Sequence, residues 1–365
     1  MCIRDSITLG SMPLSALADD GSMNFSVNAV LPENQIDKSK SYFELLMKPG
    51  QVQELEVMLN NPFDKEVTVV GYANTAITND NGIVDYSINK PKLDSTLKAP
   101  FSEITEMEKE TIVPPKSSKK VKIKVTMPKE KFDGVILGGL HFTEKEDENK
   151  ENKKKAGVQI ENRFAFAIGV LLKETDTDVN PDMKLGKIAA SQINYRNVVK
   201  ANLQNTEPVI MHDLNVKARV TQKGKKATLF ETNKDSMRMA PNSNFDYSIY
   251  WENKEFKAGK YTLHMTATNA SHKWKWSKDF EITGEEAKKL NEQAVELKKD
   301  YTKWYILGAV AGVLLLLIIT YALGQYMNRR KQKKRKKKKK NNKRKKVAPN
   351  NTRPNSSRKK KSGKR

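Results

Sequence analysis

Lys119-Lys120-Val121-Lys122-Ile123-Lys124-Val125 alternates charge and hydrocarbon one residue at a time. Successive side chains of a strand point to opposite faces, so Lys120, Lys122 and Lys124 fall on one wet face while Val121, Ile123 and Val125 share a dry one. A helical turn would scatter the same residues around its circumference. The stretch therefore predicts a half-buried antiparallel strand. Moving outward, Leu55, Val57 and Leu59 alternate with Glu54, Glu56 and Met58 in the same way. Turn signals separate such runs at Pro49-Gly50, Asn60-Asn61-Pro62, Asn81-Gly82 and Pro114-Pro115. Short alternating strands at this spacing indicate a β-sandwich.

The pattern resumes beyond Lys184. Leu203, Leu214, Val216, Val220, Leu229, Phe245, Tyr247 and Ile249 fall in further alternating segments, and Ala258 to Leu263 reads as the turn and closing strand of an immunoglobulin-like module. Trp274, Trp276, Phe280 and Ile282 alternate along a last strand, where paired tryptophans mark one face of a strand and not a ligand cage. The fold expected is mainly β: two immunoglobulin-like antiparallel β-sandwich domains, residues 24–174 and 183–283. Gly134 to Phe142 and Arg163 to Leu172 are both apolar, and neighbours in sequence usually pair in space. They are expected to form the last hairpin of the first domain, leaving the charged stretch Glu144 to Gly157 as its loop and placing the physical boundary near residues 174–183.

Thr283 and Glu286 have the spacing of a capping box, and Ala287, Leu290, Ala294, Leu297 and Tyr301 follow as a heptad stripe. A stalk helix over 284–303, packed against the second domain, is the expectation. Trp304 to Leu323 then runs twenty residues without a charge. As a helix it extends about 30 Å, the thickness of a bilayer's hydrocarbon core. Trp304 and Tyr305 at one end, with Tyr321, Tyr326, Arg329 and Arg330 at the other, suit the two membrane interfaces.

Net charge refines this reading. Of 67 basic residues, 22 fall between Arg329 and Arg365, where no acidic residue occurs, so the remainder carries 45 basic against 43 acidic residues. The formal charge of +24 is therefore a property of the tail 329–365. The positive-inside rule puts that tail in the cytoplasm and the sandwiches outside, in a single-pass cell-membrane protein. No Phe, Tyr or Trp follows Tyr326 to stack on bases, so no specific nucleic-acid partner is implied. Residues 1–18, with Ala16-Leu17-Ala18 before Asp19-Asp20, read as a truncated signal-peptide remnant. The one cysteine, Cys2, excludes an internal disulfide framework, which suits an exported Gram-positive surface protein and equally a cytosolic one.

Chemistry is not legible. His141, His212, His264 and His272 stand apart from one another and from metal-ligand spacings, and no nucleophile elbow or phosphate-binding loop occurs. No catalytic, metal or cofactor residue is assigned. Gly138-Gly139 inside an apolar strand implies a bulge or a close backbone contact.

Several motifs resemble one family. Tyr42-Phe43-Glu44-Leu45, Lys48-Pro49-Gly50-Gln51, Asn74-Thr75-Ala76, Thr78 to Gly82 and Phe132 to Gly139 are similar to the first domain of the WxL-interacting proteins. Asn202-Leu203-Gln204-Asn205, Met239 to Phe245 and Lys257 to Tyr261 resemble the second. The resemblance implies a non-enzymatic anchor for cell-wall proteins bearing the WxL module, with peptidoglycan bound by the first domain and host extracellular-matrix proteins by the second. It places the family's sequence boundary at 145–157. The alternative is a cell-wall-modifying enzyme with a carboxylate pair. For contacts, the polar loop of Asn74, Thr75, Thr78, Asn79, Asp80, Asn81 and Gly82 is the candidate surface; a structural turn is the other reading.

Overall fold

The computed structural model describes residues 24–145, 164–297 and 301–345. The signal remnant 1–18, the charged stretch 146–157 and the end of the basic tail lie outside them.

In the first sandwich one sheet has the order β1 (Ser26–Val30), β3 (Val52–Asn61), β9 (Ser117–Thr126) and β7 (Thr105–Met107), all antiparallel. Its outer face carries the lysines read from sequence. Lys120 pairs with Glu56 and Lys122 with Glu54, both at 2.7 Å. Exposed pairs of this kind contribute only about 0.2–1 kcal/mol each, so their role is to fix which face stays wet. The inner face supplies Leu55, Val57, Leu59, Val121, Ile123 and Val125 to the core.

The facing sheet has the order β2 (Phe43–Leu46), β11 (Ala165–Lys173), β10 (Ile136–Glu144), β4 (Val67–Thr75) and β8 (Glu110–Val113). β10 and β11 pair antiparallel from Ile136–Leu172 to Thr143–Ala165, the expected hairpin. β11 also pairs parallel with β2, a departure from the all-antiparallel expectation. Phe43, Leu45, Val69, Leu140, Phe142, Val170 and Leu172 close the core from this side. Gly138 and Gly139 are a close-contact pair. A Cβ on Gly138 would collide with the edge of the Phe101 ring, and one on Gly139 would meet Tyr86 at 2.7 Å.

The second sandwich packs β12 (Met183–Ile193), β13 (Arg196–Asn205) and β16 (Ser243–Tyr250) against β15 (Thr228–Met239), β14 (Met211–Gln222), β17 (Gly259–Thr268) and β18 (Lys273–Ile282). Tyr247 is fully buried at its centre, and its hydroxyl lies 2.8 Å from the Thr232 carbonyl and 3.1 Å from that of Val216. Burial pushes this phenol well above the usual tyrosine range. Trp251 stacks on Phe230 with centroids 4.0 Å apart.

The capping box forms: Thr283 Oγ1 accepts the Glu286 backbone N–H, and the Glu286 carboxylate accepts that of Thr283. The helix it starts, α1 (Gly284–Gln293), is half the expected stalk. Ala287 and Leu290 of the stripe pack on the second sandwich's core. The helix stops because its end is tied down there. Gln192 donates to the Leu290 carbonyl at 2.6 Å, Asn291 accepts the Phe256 backbone N–H at 2.8 Å, and Val295 donates to the Tyr195 carbonyl at 2.9 Å. These bonds turn the chain out of helix at Ala294, and Glu296 adopts a left-handed φ of 58°.

α2 (Thr302–Lys345) belongs to a separate compact unit. Among the described residues it is the one helix long and apolar enough to cross a membrane. It carries Trp304, Tyr305, Tyr321, Tyr326, Arg329 and Arg330, and the Arg330 guanidinium sits 4.9 Å over the Tyr326 ring. Helical backbone continues without a break from apolar to basic sequence: in the apolar part a bilayer would demand that every backbone group bond internally, and the Lys/Arg-rich part is made of good helix formers.

Candidate functional site: the interdomain seam and a carboxamide groove

The loop singled out in the sequence is a short hairpin, β5 (Ile77–Thr78) against β6 (Val84–Asp85). Asn79 builds its turn, its side-chain oxygen accepting the Asn81 N–H at 3.0 Å and that of Ile83 at 3.3 Å. Gly82 takes φ 74°, the left-handed conformation that side chains disfavour. Asn74 and Thr75 serve the first sandwich, Asn74 donating to the Tyr86 carbonyl at 2.7 Å and Thr75 bonding Ser102 at 2.9 Å.

The rest of the hairpin reaches the second sandwich. Thr78 Oγ1 lies 2.6 Å from the Ser243 hydroxyl and accepts the Ala240 backbone N–H at 2.9 Å. The Gly82 carbonyl accepts the Arg238 N–H at 2.8 Å. Asp80 accepts from Lys200 at 2.8 Å and from the Asp246 N–H at 3.3 Å. The Asp80 hydrogen bond raises the Lys200 ammonium above the usual lysine range, against the effect of burial. Ala76, Val135, Leu137 and Ala240 form a small buried cluster beneath these bonds. Gly134 and Val135 lie against Pro208, whose carbonyl takes the Val135 N–H at 2.7 Å.

A second polar knot lies beside it. Asp94 accepts the Thr96 N–H and hydroxyl at 2.9 and 2.7 Å, Gln204 at 2.9 Å, and Asn244. Burial alone would raise the Asp94 pKa, but these bonds outweigh it and hold the carboxyl below its usual range. Residue order does not single out Asp94, because Gln204 and Asn244, its donors from the second sandwich, lie more than a hundred residues away. Of the seven loop residues, Asp80 and Asn81 are exposed and Asn74, Thr75, Thr78 and Gly82 are buried.

The first sandwich carries a groove of about 630 Å³ lined by Pro32, Asn34, Leu46, Lys48, Gln51, Gln53 and Glu174, among others. Asn34 and Gln53 exchange reciprocal amide hydrogen bonds of 2.9 and 2.8 Å, and Gln51 donates to Gln53 at 3.2 Å. Glu174 accepts the Phe132 N–H at 3.0 Å through Oε2, while its buried Oε1 has no partner among the described residues. Glu33 lines the same groove. No group of three or more His, Cys, Asp or Glu gathers as a metal site among the described residues.

With this geometry, two family models match: the WxL Interacting Protein peptidoglycan binding domain over residues 25–144 and the host binding domain over residues 155–292. The chain belongs to the WxL-interacting protein family. Its sandwiches are accordingly a peptidoglycan-binding and a host-binding domain, and the chain is a cell-surface binding protein built from binding families, not enzyme families. The second match begins ahead of β11, although that strand lies within the first sandwich's sheet. No curated protein matches the chain. Similar solved structures include a chaperone–tip adhesin complex of CFA/I fimbriae, 10% identical over 71% of this chain and 98% of that one with a TM-score of 0.30. The E. coli chaperone DraB is 13% identical over 71% and 98%, with a TM-score of 0.26. A PapD-like domain of human CEP192 is 9% identical over 48% and 100%, with a TM-score of 0.27. These likenesses are too remote to carry an argument about ligand or partner.

Proposed function

We propose that this chain retains WxL-module surface proteins at the cell wall. α2 holds it in the membrane with the sandwiches outside and the basic segment inside. The first sandwich grips peptidoglycan and the second engages host extracellular-matrix proteins. The observation that carries the reading is the seam. Two domains of different binding type are joined through the Thr78 and Asp94 knots and a dry cluster, so a partner held by one stays at fixed geometry to the other. The orientation rests on the basic block directly after the span, which resists translocation and is drawn to the anionic inner leaflet.

The test is capture by the full chain in detergent micelles, offered a purified WxL-module protein and, separately, purified peptidoglycan. Co-elution with the WxL-module protein is expected, with salt-resistant sedimentation on peptidoglycan. A chain that sediments with the wall polymer but leaves every WxL-module protein in solution would refute the anchoring role alone.

A further inference from the structure

The groove of the first sandwich is a built polar surface with unspent hydrogen-bonding capacity. A carboxamide offers two N–H donors and two acceptor lone pairs. Asn34 spends one of each on Gln53; Gln53 spends one N–H, and its oxygen is filled by Asn34 and Gln51. Gln51 spends one N–H on Gln53 and one lone pair on the Lys48 backbone N–H at 2.8 Å. Each of the three therefore keeps an N–H, and Asn34 and Gln51 each keep a lone pair, among the described residues.

The array is stiff. Gln53 stands on β3, and the turn below it is pinned by Gly50 N–H to the Pro128 carbonyl at 2.7 Å and by Met47 N–H to the Lys173 carbonyl at 2.8 Å. A network that holds its amides this firmly orders its free donors before a ligand arrives, which lowers the entropic cost of binding. Leu46, 41% exposed, and Pro32 add hydrocarbon to the lining. None of these residues bonds across the seam, so the groove stays available when the domains are docked.

We infer that this groove is the wall-glycan subsite and takes a strand of N-acetylated amino sugars. The inference rests on the reading of the first sandwich as peptidoglycan-binding and goes on to locate the contact. Sugar hydroxyls donate and accept at once, which suits mixed N–H and lone-pair positions. The N-acetyl group is itself an amide and can meet a carboxamide as Asn34 meets Gln53. The hydrocarbon of Leu46 and Pro32 suits the C–H face of a pyranose ring. A peptide stem is the competing wall ligand, because Glu33, Lys48 and Glu174 also line the groove and could meet its charged groups, and the oligomer and stem-peptide arms of the test separate the two.

The experiment uses the full chain in detergent micelles, with a soluble β-1,4-linked N-acetylglucosamine oligomer followed by calorimetry and purified sacculi followed by sedimentation. Gln53→Leu removes the hub of the amide array, and Leu46→Asp alters only the exposed lining, so one of the two tests the groove even if the other unfolds. Thermal melts report folding. Each folded variant is expected to weaken oligomer binding by about tenfold or more and to cut sedimentation in parallel. Folded variants that bind like the parent overturn the subsite, as does a parent that binds free stem peptide but not the oligomer. A parent that leaves sacculi in suspension overturns the peptidoglycan reading itself, a different result from failure of the groove alone.

Discussion

Thr78 and Ser243 stand 165 residues apart in sequence and share a buried hydroxyl–hydroxyl bond of 2.6 Å. The same Thr78 oxygen takes the Ala240 N–H, so one threonine of the first sandwich satisfies two buried polar groups of the second.

Thr78→Val keeps the shape and removes both bonds. Leaving a buried donor unmatched costs about 1–3 kcal/mol. The full chain should melt at lower temperature, with the seam more open to proteolysis between the sandwiches; an unchanged melt and unchanged cleavage would remove Thr78 from the joint.

Asp94 makes the seam sensitive to acid. Its folded pKa lies below the unfolded value, so its contribution is fully present above the unfolded carboxylate range and drains away as pH falls through the folded pKa. Asp94→Asn turns an acceptor toward donors of Gln204 and Asn244 into another donor. The variant should be less stable than the parent at neutral pH, and the gap should narrow on acidification below about pH 4. Parallel melting curves across that range would show that Asp94 does not couple seam to pH.

Gly138→Ala tests the core. The added methyl would meet the Phe101 ring, itself fully buried, and overpacking of this kind typically costs about 1–3 kcal/mol. Chemical denaturation should show the loss; a neutral variant would mean the Phe101 ring has room to retreat.

Membrane orientation is checked with protease added to wall-stripped cells. Residues 24–300 should be digested while an epitope placed after Lys364 survives. Survival of the sandwiches with loss of the epitope would reverse the orientation.

Much of the architecture could be read from residue order, because alternation and capping are local. Lys119 to Val125 announced its two faces, Thr283 and Glu286 their helix start, and the apolar arms around the charged stretch their pairing. What could not be read is what depends on distant partners. The stripe from Ala287 to Tyr301 suggested a longer helix, but Gln192, Asn197 and Tyr195 end it from another part of the chain. The polarity of Thr78 to Gly82 was legible and the identity of its partner was not, since Ser243 and Arg238 come from the other sandwich. The groove was invisible for the same reason: Asn34, Gln53 and Glu174 are ordinary residues until three segments meet.

The parallel pairing of β2 with β11 has a consequence in time. A chain is made from its N-terminus, so Phe43 to Leu46 exist long before Val170 to Lys173, their partners in the sheet. At about 5–20 residues per second, the wait is on the order of ten seconds. Throughout it β2 lacks its sheet, and from the moment β10 is made until β11 follows, β10 lacks one neighbour too, leaving apolar edges uncovered. The first sandwich is therefore first in sequence but cannot finish folding early, and whatever meets the emerging chain must keep those edges from pairing elsewhere until β11 is delivered.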